Sequence, residues 1–273
     1  MMLDPLSDQE WRLARLDLLG LKEDPFKLSA DPRYLYLGPE HLAVYRQAQS
    51  VISRRRGLAL ITGDMGMGKS SLARRIYDVY AAEKNMVLCY IHTAAFTSAM
   101  DAARQISDGL GVPPQRSFQR QMEGLERAVA ASYTSGQNVV VLLDDAQLME
   151  SEALEVLHRL YNFDYDSKVV QVLAFGQSEM SSLFETNKPV NARVCARLVL
   201  PPLPLGSALQ MVIFRLRVAG RAEPLIDDNA FELLYENSRG IPREIIRLCA
   251  LCTDTLLQTD ETKITLAIVK EVS

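Results

Sequence analysis

The sequence predicts a three-layer α/β domain on a parallel sheet, followed by a small all-helical domain. Three observations carry this reading. Between residues 58 and 200, short apolar segments alternate with helical ones, the order expected of parallel strands joined by crossover helices. Val139-Val-Val-Leu-Leu143 is apolar without a break, as a strand covered on both faces must be. After Pro201-Pro-Leu-Pro204 the strand pattern stops and only helical segments follow.

The elements follow in order. Ser7-Asp-Gln-Glu10 has the S-x-x-E form of a capping box and precedes a helical stretch from Trp11 to Leu21. Prolines 25 and 32 then hold residues 21–33 as an ordered loop. Pro39 to Arg56 reads as a helix closed by Arg54, Arg55, Arg56 and Gly57, cations and then glycine at a C-terminus. Strands are expected at Leu58–Thr62, Met86–Ile91, Val139–Leu143, Val169–Phe175 and Leu198–Leu200. Helices are expected at 70–84, 98–110, 118–133, 151–163 and 178–185 between them, then at 207–219, 227–237, 242–258 and 265–272.

Composition narrows the function classes. The chain has 273 residues, is 48% hydrophobic and carries a net charge of −4. That excludes a protein coating nucleic acid by bulk positive charge, though not a local basic face. Four cysteines are too few for a disulfide scaffold. Cys249-Ala-Leu-Cys252 lies in an apolar helical stretch, and without a second C-x-x-C or a nearby histidine it reads as core rather than metal site. No apolar run reaches membrane-spanning length and the N-terminus lacks a signal pattern, so a cytoplasmic location is expected.

One motif carries chemistry outright. Gly63-Asp-Met-Gly-Met-Gly-Lys-Ser70 has the form G-x-x-x-x-G-K-S and sits between a predicted strand and a predicted helix. Glycines 63, 66 and 68 let backbone N–H groups turn inward around a phosphate, and the helix start adds its dipole. Lys69 would meet the β- and γ-phosphates, and Ser70 would ligate Mg²⁺. Gly63, Asp64, Met65, Gly66, Met67, Gly68, Lys69, Ser70 and Ser71 are thus the candidate nucleotide contacts. The partner acid is expected at another buried strand end, where Asp144 and Asp145 follow Leu143. Asp144 would hold Mg²⁺ and Asp145 would orient or deprotonate the attacking water.

A series of short motifs resembles the ExeA/GspA-type AAA+ ATPases. It runs from Gly20-Leu-Lys-Glu-Asp-Pro-Phe26, Asp31-Pro-Arg-Tyr-Leu-Tyr36 and His41 through the phosphate loop to Asp144-Asp-Ala-Gln147. It continues through Phe175-Gly-Gln177, Leu200-Pro-Pro-Leu203, Arg217-Val-Ala-Gly220 and Gly240-Ile-Pro-Arg243, covering about residues 18 to 260. The resemblance implies an N-terminal extension over 1–20, an AAA+ three-layer core over 21–204 and a helical lid over 205–273. It implies ATP and Mg²⁺ as cofactors. It also implies that Pro25 and Phe26 border the adenine pocket, that Gln177 senses the γ-phosphate, and that Arg243 does so from the lid. Arg193, with Arg197 as rival, would reach into a neighbouring protomer's site. A trans arginine of that kind implies head-to-tail assembly into a ring or a filament.

The chain departs from the family in two respects. Asp145 stands where the family has glutamate, one methylene longer, which implies slow hydrolysis and a switch rather than a motor. The secretion members continue into a membrane span and a cell-wall-binding domain, and this sequence ends at Ser273 with neither. Two roles follow from the resemblance. One is a DNA-associated regulator, similar to the TnsC, TniB and MuB transposition ATPases, acting with duplex DNA and a transposase or target selector. Its candidate DNA contacts are Arg54, Arg55, Arg56, Arg74, Arg75 and the loop from His92 to Ser98. The other is a cytoplasmic ATPase of a secretion or pilus system acting on protein partners. Absent envelope domains favour the first. The helix around Trp11 reads equally as packed on its own core or as a docking arm.

Overall fold

A computed structural model of the chain describes residues 8–28, 31–163 and 168–272. In chain order the first elements are α1 (Asp8–Leu18), α2 (Pro39–Ser53), β1 (Leu58–Thr62), α3 (Lys69–Tyr80), β2 (Met86–Ile91), α4 (Ala99–Gly109) and α5 (Phe118–Thr134). They are followed by β3 (Asn138–Leu143), α6 (Leu154–Leu160), β4 (Val170–Gly176), α7 (Glu179–Thr186), α8 (Lys188–Asn191) and β5 (Val194–Val199). The last four are α9 (Leu205–Val218), α10 (Asp228–Ser238), α11 (Pro242–Leu256) and α12 (Leu266–Val272). Contacts divide the chain into two compact units, His41–Pro201 and a second formed by Met1–Glu40 with Pro202–Ser273.

The first unit is built on a five-stranded sheet in the order β2-β3-β4-β1-β5, and every pairing in it is parallel. The strands covered on both faces are buried along their whole length, as in β3 and β4. Helices α4, α5 and α6 supply Ile106, Leu125 and Leu157 to a core shared with Val139, Val141 and Val172. Ser98 and Ser117 cap α4 and α5 by accepting from Asp101 N–H and Arg120 N–H. At the opposite end of the sheet from the strand tips, buried polar groups close on one another. The Gln171 side chain accepts from Gly57 N–H at 2.7 Å, and Asn138 donates to the Ile52 carbonyl at 2.9 Å.

The last strand departs from expectation. It spans Val194–Val199 rather than Leu198–Leu200. As an edge strand its residues are only half covered, so Ala196 and Arg197 break the apolar run that would have marked it. The helix expected from Ser151 opens instead with a 3-10 turn over Ser151–Ala153. The four-residue α8 is marked in the sequence only by its Asn187 cap and by Pro189 in its first turn.

The second unit buries Leu16, Leu21 and Phe26 with Leu216, Phe231, Leu234, Ile245, Cys249, Cys252 and Ile268. Burial pushes the Cys249 thiol well above its ordinary value and Cys252 to about 12, so both are inert core side chains. Helix α1 is anchored here: Arg12 pairs with Asp24 at 2.8 Å and Arg15 donates to the Leu257 carbonyl at 2.8 Å. Its other face leaves Trp11, Leu13 and Leu18 exposed. Ser7, first residue of the expected capping box, lies outside the described residues. The N-terminal loop is organised by Arg215 of α9, which is buried and donates to the carbonyls of Pro25 at 2.7 Å, Lys27 at 2.9 Å and Tyr34 at 3.3 Å. Its guanidinium also lies 4.7 Å from the Tyr34 ring centroid.

Candidate nucleotide-binding site

Three neighbouring inner strands end together at the C-terminal end of the sheet. Thr62 of β1 is level with Gly176 of β4, and Leu143 of β3 pairs with Ala174 on the other side of β4. The segments leaving these strands are the phosphate loop, the acidic pair and Gln177. A crevice at the C-terminal ends of parallel strands is where open α/β sheets bind ligands.

The loop needs its glycines for distinct reasons. A Cβ on Gly63 would lie 2.9 Å from the Leu200 carbonyl oxygen, so a side chain there would push the loop off the neighbouring segment. Gly68 sits at φ +95° and forms the N-cap of α3, a left-handed conformation that other residues adopt at a cost. No side chain caps that helix end, so its first N–H groups can serve an anion. Met67 is buried beneath the loop and Met65 is exposed at its tip. Lys69 is 8% exposed, and its ammonium donates to the carbonyls of Gly63 at 2.7 Å and Asp64 at 2.9 Å. The loop thus folds around the charge that a triphosphate would meet.

Asp144 is 2% exposed. Burial raises its carboxyl above the ordinary value, while a hydrogen bond with the Ser70 side chain, the Asp145 N–H and the charge of Lys69 act the other way. Ser70 and Asp144, expected to share a magnesium ion, are therefore close enough for the hydroxyl to act on the carboxylate. Among the described residues no group of His, Cys, Asp and Glu could hold a metal by itself. A hydroxyl, one carboxylate and phosphate oxygens are the donor set that suits Mg²⁺, so the residues fit an ion that arrives with a nucleotide. Burial, with the negative charge of Asp144 nearby, raises the phenol of Tyr90 on β2. Its ring lies 4.1 Å from that of His92.

Asp145 adopts a left-handed backbone, φ 52° and ψ 38°, at the start of a 3-10 turn over Ala146–Leu148. Its N–H donates to Asp144 Oδ1 at 3.0 Å. Its own carboxylate accepts from the Gln147 amide at 3.2 Å. The Gln147 Oε1 in turn accepts from the Gln177 N–H at 3.1 Å. The Gln177 backbone is thereby tied to Asp145 through the Gln147 amide. In the sequence Gln147 carries no signal beyond its place in Asp144-Asp-Ala-Gln147.

The remaining expected residues are distributed as follows. Arg193 directly precedes β5 and donates to Asn162 at 2.7 Å. Arg197 lies within β5, exposed, and donates to Asn191. Ser71 lies in the first turn of α3. Pro25, Phe26 and Arg243 belong to the second unit. There Phe26 is 1% exposed, the Pro25 carbonyl is taken by Arg215, and Arg243 is exposed in the first turn of α11. Arg54 and Arg56 are exposed past the end of α2, while Arg55 donates to the carbonyls of Gly136 and Gln137. A separate groove of about 490 Å³, lined by Glu123, Glu126, Glu155 and His158 among others, shares no residue with the phosphate loop.

Residues 52–184 match the AAA domain family. Among curated proteins the chain is 30% identical over 235 residues to general secretion pathway protein A of Aeromonas hydrophila, covering 84% of this chain and 42% of that protein. It is 24% identical over 254 residues to an uncharacterized HTH-type transcriptional regulator, MJ0774, of Methanocaldococcus jannaschii, covering 78% of this chain and 61% of that one. The chain thus spans less than half of the secretion relative and about three fifths of the regulator. Among solved structures, the ORC2 protein of Aeropyrum pernix, in ADPNP–ADP complexes, superposes with a TM-score of 0.64 at 18% identity, over 91% of this chain and 70% of that one. The α/β architecture with its five-stranded parallel sheet is that of the AAA+ P-loop ATPases.

Proposed function

We propose that this chain is an ATP-dependent switch: its AAA core binds MgATP, assembles head to tail and hydrolyses slowly. The phosphate loop that seats Lys69 and opens α3 without a side-chain cap, at the same strand ends as the buried Asp144, carries this reading. Lys69 would exchange the two loop carbonyls it now serves for β- and γ-phosphate oxygens. The bound ion would supply charge neutralisation between those phosphates, held by Ser70 and Asp144. Asp145 would hold or accept the proton of the attacking water. Gln177 would meet the terminal phosphate. Arg193, or Arg197, would bring positive charge to the same phosphate on an adjacent protomer. Pro25, Phe26 and Arg243 would contribute adenine and sensing contacts from the second unit.

The partner reading that the strongest sequence likeness supports is a cytoplasmic ATPase acting on secretion or pilus proteins, since the secretion relative covers 84% of this chain. A second reading, a regulator on duplex DNA working with a transposase or target selector, draws on the relative named as an HTH-type regulator and on exposed Arg54, Arg56, Arg74 and Arg75. Duplex-DNA binding measured with ATP, with ADP and without nucleotide across a salt series separates them. ATP-dependent binding that weakens steeply with salt supports the DNA role. Absence of binding at low salt with ATP removes it and leaves the protein-partner role. Turnover of ATP by the purified chain, lost in Lys69→Ala, tests the shared core of both.

A further inference from the structure

We infer that Gln147 is a positioning residue that fixes the Asp145 carboxylate against the end of β4. The inference rests on the ATPase reading above and names how this site is regulated by its own scaffold. Asp145 needs such help for two reasons. Its side chain is short, so small rotations move its oxygens far from any one water position. Its backbone is left-handed, a conformation in which the side-chain direction differs from that of an extended strand residue.

Gln147 answers both needs with one amide. The Nε2 group donates to Asp145 Oδ1 at 3.2 Å, and Oε1 accepts from the Gln177 N–H at 3.1 Å. A primary amide can make both bonds without rotating, because donor and acceptor lie on opposite sides of one planar group. Space is cut to match. A Cβ on Gly176 would lie 2.9 Å from Gln147 Oε1 and 2.8 Å from Met180 Sδ, so any side chain at 176 would displace the amide. The result is a three-residue relay, Asp145–Gln147–Gln177, from the acid at the tip of β3 to the residue at the tip of β4. A displacement at Gln177 on meeting a phosphate is carried through one rigid amide to the acid.

The test compares Gln147→Glu, Gln147→Ala and each of them combined with Asp145→Ala, reading single-turnover ATP hydrolysis and fluorescent-ATP binding. Gln147→Glu keeps the acceptor for Gln177 N–H but sets a negative charge against Asp145. It is expected to lower turnover at least about 10-fold with nucleotide affinity unchanged. Gln147→Ala is expected to lower turnover without changing affinity, and retained nucleotide binding shows that both variants fold. In the Asp145→Ala background neither change lowers turnover further, because the residue acts only through Asp145. Full turnover in Gln147→Glu, or losses that add to those of Asp145→Ala, would overturn the inference while leaving the ATPase reading standing. A wild-type chain that binds no ATP would instead bring down that reading, and the inference with it.

Discussion

The N–H of Asp145 donates to the carboxylate of Asp144 at 3.0 Å, so the two adjacent acids are held with different orientations and in different surroundings. Asp144 is buried; Asp145 is turned by its left-handed backbone toward Gln147. On the proposed reading, one carboxylate would serve a cation and the other a proton. Replacing Asp145 by glutamate lengthens the second without disturbing the first. Turnover is expected to rise about 10-fold, with folding stability lowered by roughly 1 kcal/mol because glutamate tolerates a left-handed backbone less well than aspartate. Steady-state ATPase rates and chemical denaturation of Asp145→Glu check both; a rate at or below wild type would count against the shortened acid as the cause of slow hydrolysis.

Burial of Asp144 carries a stability cost. Its folded carboxyl is raised above the unfolded value of 3.8, so its contribution is fully present below that pH and is lost as pH rises through the folded value. Asp144→Asn should therefore raise the melting temperature of the nucleotide-free protein at pH 8, by roughly 2–4 °C per kcal/mol of penalty removed. The gain should vanish below about pH 3.8. Thermal unfolding across pH measures it, and a destabilised variant at pH 8 would show that Ser70 and the Asp145 N–H outweigh burial.

Trans catalysis predicts complementation. Arg193→Ala and Asp145→Ala are each expected to retain only a small residual turnover alone. Mixed at equal amounts, random head-to-tail assembly pairs an intact Asp145 with an intact Arg193 across about one quarter of the interfaces. Activity should reappear at about that level. If the mixture stays inactive while Arg197→Ala complements, Arg197 takes the role.

Arg215 offers a test of the second unit alone. Arg215→Ala would strip hydrogen bonds from three carbonyls, those of Pro25, Lys27 and Tyr34. A loss of about 2–4 kcal/mol is expected, only partly restored by lysine, which lacks the planar fork. Denaturant unfolding reads it. Less than about 1 kcal/mol would mean water replaces the guanidinium.

The residues that were legible in the sequence are those whose chemistry is local. Strand β1 spans the expected Leu58–Thr62 because its apolar run is bounded by Gly57 and Gly63. The phosphate loop follows from spacing alone. What was not legible depends on backbone turns and on neighbours distant in the chain. Gln147 meets Gln177 only because Asp145 turns left-handed and Gly176 leaves room. Arg215 reads as one more cation at the end of a helix until the loop 190 residues away in sequence closes on it. Strand β5 was shortened because an edge strand need be apolar on one side only.

The most direct measurement is equilibrium binding of a fluorescent ATP analogue to wild type, Lys69→Ala and Asp144→Asn, each with Mg²⁺ and with a chelator. The account predicts that Lys69→Ala weakens binding at least about 10-fold in both conditions, since its charge faces phosphate directly. Asp144→Asn should weaken only the magnesium-dependent part. Wild-type affinity in Lys69→Ala, or an unchanged magnesium dependence in Asp144→Asn, would contradict the placement of both side chains on one triphosphate.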